Sequence, residues 1–175
     1  MIGFYNKSCE RFYEKYPRIY EWFTASQKRV SGLKIFKSLS TAVMYAAYIL
    51  LLVFLGATGD MRIIRAIIVP ALVFLFVTVV RKGINAPRPY EKYPIKPVIP
   101  KSTKGKSCPS RHTACAFIIA LAVLYVNVPL GICLLILSVF IGISRPVMGV
   151  HFPLDVTFAA VIAVVLGIIG FFIIP

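Results

Sequence analysis

Two histidines and six acids are all that 175 residues provide, so the places where they meet are informative. His151 and Asp155 stand four apart in GISRPVMGVHFPLD, residues 142–155. At a helix start that spacing lets the carboxylate accept from imidazole Nδ1 and leaves Nε2 free as nucleophile or base. The plainer alternative is a helix-capping aspartate beside an interfacial histidine. Ser110-Arg111-His112 precedes an apolar run. Ser110 suits a helix N-cap, the free N–H groups of that helix start form an anion cradle, and His112 can protonate a leaving oxygen. A capped helix that merely begins with polar residues is the alternative there. Arg81, Lys82, Arg88 and Arg145 flank these two stretches; singly, each also fits a membrane-interface anchor.

The elements that must position these groups are membrane helices. The hydrophobic fraction is 59% and the charged fraction only 15%, with mean hydropathy +0.84, against roughly 45–50% apolar residues in soluble domains. The net charge of +14 would suggest nucleic acid in a soluble chain. Here long apolar runs separate the basic residues, so lipid headgroups or a phosphorylated substrate are the expected counter-charges, and no nucleic acid is. The four cysteines show no CxxC spacing and make no metal or disulfide framework. The aromatic, charged N-terminus does not read as a cleavable signal peptide.

The expected architecture is an all-α integral membrane bundle forming a single domain over residues 1–175. Apolar runs at 39–57, 63–80, 112–126, 129–143 and 152–174 give about five spans. Residues 1–37 are amphipathic, rich in Tyr, Phe, Lys and Arg, and Pro17 is expected to divide them into two short helices. This region suits either the membrane interface or packing against the bundle's end. Prolines 87, 89, 94, 97 and 100 predict an extended loop over 81–111, with Lys92 to Lys106 as a solvated or lipid-attracting stretch. Counting spans puts residues 81–112 and 144–155 on one membrane face. Five cations (Arg81, Lys82, Arg88, Arg111 and Arg145), both imidazoles and Asp155 then converge at the bundle mouth, a natural phosphate site.

Three segments now resemble a known family. Arg81-KGINAP-Arg88-Pro89, Pro109-Ser110-Arg111-His112 and Ser144-Arg145-PVMGV-His151-FPL-Asp155 are similar to the tripartite signature of the type 2 phosphatidic acid phosphatases, membrane relatives of the vanadium haloperoxidases. The family's patterns are KxxxxxxRP, PSGH and SRxxxxxHxxxD. The third matches in full; Arg81 stands where the first has lysine, and Arg111 replaces the glycine of the second. The resemblance implies a phosphatase in which His151 attacks phosphorus to form a phosphohistidine, Asp155 orients it and His112 protonates the leaving group. It also implies that Arg88, Ser110 and Arg145 hold the phosphoryl oxygens and that no metal or other cofactor is needed. Arg81 or Lys82 would supply the cation of the first pattern, and Arg111 could add a contact suited to a diphosphate. Members commonly have six spans, so region 1–37 is expected to stand in for the missing one.

The implied substrate is a membrane lipid phosphate or isoprenyl diphosphate, in a bacterial cell membrane. The competing class is a non-catalytic anion- or lipid-binding membrane protein, which would need cations along a transmembrane path rather than collected at one end. Sidedness stays open. The site face and N-terminal region carry 18 basic residues against Arg62 and Arg65 on the other face, which points the site to the cytoplasm. Bacterial members of the resembling family usually face outward.

Overall fold

A computed structural model describes residues 2–174, all of whose regular structure is helical. The elements are α1 (Ile2–Thr24), α2 (Gln27–Ala57), α3 (Arg62–Ile84), α4 (Pro89–Lys92), α5 (Arg111–Leu124), α6 (Val128–Val147) and α7 (Pro153–Ile168), with a π-helical end at Ile169–Ile173. Four of these helices, α2, α3, α6 and α7 with its π-helical extension, are long and apolar enough to cross a membrane. The fifth expected span, α5, is a shorter apolar helix of 14 residues.

Burial explains the short one. Ala114, Ala116, Ile118, Ile119, Ala120, Leu121, Ala122 and Val123 are all buried, so α5 is the central helix, enclosed by α2, α3, α6 and α7. Protein surrounds it, so its length need not match the hydrocarbon layer. The outer helices instead expose large apolar side chains such as Leu50, Val53, Phe54, Leu72, Phe76 and Val161, which bilayer lipid covers. At Gly131 of α6 a side chain would collide with the backbone of Leu124, so this glycine permits the close approach of α5 and α6.

Three local expectations are corrected. Pro17 lies inside a continuous α1, and the break falls at Ala25-Ser26, so residues 27–37 belong to α2. Proline costs one intrahelical hydrogen bond. Here the ring contacts Phe12–Tyr16, Tyr13–Tyr93 and Tyr16–Tyr20 hold the turns on either side of it. Region 1–37 is therefore not one unit. The loop expected over 81–111 starts late, because Arg81 and Lys82 complete the last turn of α3, which ends at Asn85 in the left-handed conformation (φ 43°). It also contains the single turn α4, where the Glu91 carboxylate accepts from the Arg88 backbone N–H (2.8 Å) and from that of Gly105.

The apolar stripe of α1, Cys9, Phe12 and Tyr16, is buried against Phe152, while Glu10, Arg11, Glu14, Lys15 and Arg18 face outward. Of the two placements the sequence left open, α1 is packed against the site end of the bundle.

Candidate active site

The turn from α6 to α7 presents the histidine. Gly149 takes φ +76°, and any Cβ there would run into the Tyr16 hydroxyl and the Pro97 backbone. Glycine is thus required twice over, by conformation and by space. His151 follows at 2% exposure, and Asp155 lies in the first turn of α7 at 0%.

The two side chains do not touch as directly as their spacing suggests. Nδ1 and Oδ2 are 3.7 Å apart, beyond hydrogen-bond range. Ser107 stands between them, its hydroxyl donating to Oδ2 at 2.5 Å and lying 3.4 Å from Nδ1. The expected direct bond is corrected to a bridged one, because the loop entering α5 inserts a hydroxyl at the α7 N-terminus. Oδ2 also accepts from the Phe152 N–H (3.0 Å), and Oδ1 accepts from the Tyr5 hydroxyl (2.8 Å). With a proton on Nδ1 directed at Ser107, Nε2 carries a free lone pair.

The imidazole is held neutral. Burial pushes the His151 pKa down to about 4; the nearby Asp155 carboxylate opposes that shift, and the charges of Arg88 and Arg81 reinforce it. Cys108, next in the chain to Ser107, has its thiol pushed up to about 12 by burial first and then by the Asp155 charge. It stays a protonated thiol and does not compete as a nucleophile.

Three buried guanidiniums lie at this end of the bundle, Arg81 and Arg88 beside His151 and Arg145 beside His112. Arg81 (7% exposed) donates from its Nη1 to the Pro109 carbonyl at 2.9 Å. Arg88 (1%) donates from Nε to the Gly105 carbonyl and from Nη1 to the Val150 carbonyl, both at 3.1 Å. Arg145 (3%), in the last turn of α6, has a buried Nε with no partner. Among the described residues the one arginine–carboxylate ion pair is Arg62–Asp60, so none of the three meets a carboxylate. Buried cations are costly without a counter-anion.

The remaining expected residues fall as follows. Ser110 is fully buried at the N-cap of α5, but its hydroxyl accepts from Thr113 Oγ1 (3.1 Å) instead of capping, and its N–H donates to the Asp155 carbonyl (3.0 Å). Arg111 and His112 are exposed at the mouth, where with Arg145 they line a cavity of about 250 Å³. Thr41, Met44, Tyr45 and Phe74 form its other wall, so it opens toward the lipid-facing side of α2 and α3. Lys82 is exposed on the last turn of α3 and lies apart from the buried cluster, whose cation from that turn is Arg81.

Three residues were missed by sequence reading. Lys101, expected in a solvated stretch, is exposed overall, yet its ammonium is pushed down to about 8, by burial first and then by the charges of Arg88, Arg81, Lys37 and Arg145. Ser107 had a signal, a hydroxyl three residues ahead of Ser110 in the same loop. Tyr5 had none, since 150 residues separate it from Asp155.

An all-helical membrane bundle with two histidines, one aspartate and buried arginines at one end defines a class, and comparison gives its family. The chain belongs to the PAP2 superfamily, whose family model matches residues 62–175. Over 85 residues it is 35% identical to the undecaprenyl-diphosphatase BcrC of Bacillus subtilis, which covers 49% of this chain and 44% of that relative. The chain thus matches less than half of that relative's length. Among solved structures, LpxE of Aquifex aeolicus superposes with TM-score 0.68 at 25% identity, covering 87% of this chain and 92% of that one. A PAP2 type phosphatidylglycerolphosphate phosphatase of Bacillus subtilis shares the fold, with TM-score 0.50, 18% identity and coverage of 93% and 94%.

Proposed function

We propose that this protein is a membrane phosphatase that removes a phosphoryl group from a lipid phosphate or isoprenyl diphosphate through a phosphohistidine. Its chemistry uses only side chains. Nε2 of His151 attacks phosphorus, the Nε2–P bond forms, and the bond from phosphorus to the bridging oxygen breaks. His112 gives its proton to that oxygen. Water then attacks the phosphohistidine, its proton passing to His112, and inorganic phosphate leaves with Nε2 restored.

Arg81, Arg88 and Arg145 would bind the non-bridging oxygens, with the Ser110 region closing the site at the start of α5. Fixed cations in a water-poor site stabilise the charge that develops on the transferring group. His112 has Arg145, Lys101 and Lys37 for neighbours. An added positive charge on its ring therefore has a partner only when phosphate occupies the mouth.

The observation that carries this reading is a set of three buried guanidiniums without ion-pair partners, Arg81 and Arg88 beside a buried, neutral imidazole and Arg145 beside His112. Arg111, Lys101 and Lys37 supply further positive charge at the mouth, which supports a two-phosphate headgroup. The similarity to an undecaprenyl-diphosphatase, BcrC, points the same way. The lipid-facing cavity wall fits a substrate whose tail stays in the bilayer.

The test is phosphate release by purified protein in detergent, from an isoprenyl diphosphate and from phosphatidate, with rapid-quench trapping. Turnover with an acid-labile, base-stable phosphoenzyme that His151→Ala lacks supports the reading. Binding of either lipid without turnover would favour the non-catalytic alternative.

A further inference from the structure

The catalytic carboxylate is held by a helix outside the family match. Tyr5 lies in α1, 57 residues ahead of the first matched position, Arg62, so none of the three signature segments contains it. We propose that Tyr5 is a positioning residue that fixes Asp155, so that the Asp155–Ser107 pair aims the His151 ring at the substrate. This rests on the reading above that His151 is the nucleophile.

The geometry is specific. Oδ2 of Asp155 is engaged by Ser107 and the Phe152 N–H, which leaves Oδ1 to the Tyr5 hydroxyl at 2.8 Å. A carboxylate held at both oxygens cannot turn about its Cβ–Cγ bond, so Oδ2 stays toward Ser107 and Nδ1. Tyr5 is itself fixed. Its ring meets Phe152 edge-on at 6.2 Å, Phe12 of the same helix packs on Phe152 at 5.7 Å, and Tyr16 accepts from the Val98 N–H at 3.2 Å. Lys92 of α4 donates to Asn6 beside it at 2.9 Å. Burial first, then the Asp155 charge, raises the phenol's pKa, so Tyr5 remains a donor across the working range.

Removing the hydroxyl has a readable sign. Oδ1 loses its donor while Oδ2 keeps two, so negative charge concentrates on the carboxylate and His151 becomes easier to protonate. The other titratable or charged groups facing this network are Cys9, Cys108 and Lys92 around Tyr5 and Asp155, and Arg81, Arg88 and His112 around His151; Tyr5→Phe leaves all of them in place.

The experiment compares wild type, Tyr5→Phe, Tyr5→Ala and His151→Ala in detergent, by NMR titration of ¹⁵N-histidine and by steady-state kinetics. Only two imidazoles are present, and His151→Ala assigns them. For Tyr5→Phe we expect the His151 titration to move up by roughly one pH unit. We also expect kcat to fall roughly 10-fold with KM unchanged, because the phosphate-binding arginines are untouched. If Tyr5→Phe matches wild type in the titration, the proposal is overturned, and a defect confined to Tyr5→Ala would reduce Tyr5 to packing. If the titration moves but no variant turns over, positioning stands and the phosphatase reading fails instead.

Discussion

Replacing Arg145 with methionine should cost activity and stabilise the fold at the same time. Its guanidinium is 3% exposed, its Nε has no partner, and it borders the mouth cavity with Arg111 and His112. A unit charge about 4 Å from a phosphoryl oxygen is worth ~4 kcal/mol at an effective dielectric constant near 20. Removing one preorganised donor from such a site costs ~2.7–4 kcal/mol, or roughly 10²–10³-fold in kcat. Stability moves the other way, because apolar replacement of buried ionic groups is often stabilising by ~1–4 kcal/mol. At ~2–4 °C per kcal/mol for a chain of this size, Tm should rise by roughly 2–16 °C. The assays are initial rates of phosphate release and thermal unfolding followed in the same detergent. Inorganic phosphate should raise the Tm of wild type and leave that of Arg145→Met unmoved, since only a bound anion stabilises the native state by linkage. A drop in Tm with less than about 10-fold loss of rate would show that Arg145 holds the structure together and refute its place in a phosphate site.

Other outcomes follow from the same geometry. Activity should persist in EDTA, because Glu91 is committed to backbone amides and Asp155 to three hydrogen-bond donors; loss on chelation and recovery with Mg²⁺ would contradict this. The folded His151 pKa of about 4 lies below its ordinary value of 6.5, so the unfolded chain binds the extra proton, and stability should fall as pH drops through that window, with the acid limb of kcat/KM near 4. A pH titration of unfolding should have a shallower slope in His151→Ala than in wild type. His112→Ala should slow an alkyl phosphate far more than an aryl phosphate, whose leaving group needs no proton, as single-turnover rates would show. Lys101→Ala should raise KM more than Lys96→Ala, because only Lys101 comes within reach of the cation cluster.

What the sequence determined by itself is local or periodic. Apolar runs placed the spanning helices, and counting them carried residues 81–112 and 144–155 to one end, where Arg81 meets Pro109, Arg88 meets Val150 and Ser110 meets Asp155. Motif spacing nominated His151, Asp155 and the arginines, since an i, i+4 pair on a helix start is visible in a line of text. Tertiary structure decided what no window contains. It chose Arg81 over Lys82 for the interior, since one residue along a helix turns a side chain by about 100°. It drew Lys101 toward the cluster, inserted Ser107 between histidine and aspartate, and brought Tyr5 across 150 residues to the carboxylate. Pro17 marks the same limit: a local helix-breaking signal was overridden because aromatic contacts on both flanking turns outweigh one lost backbone hydrogen bond.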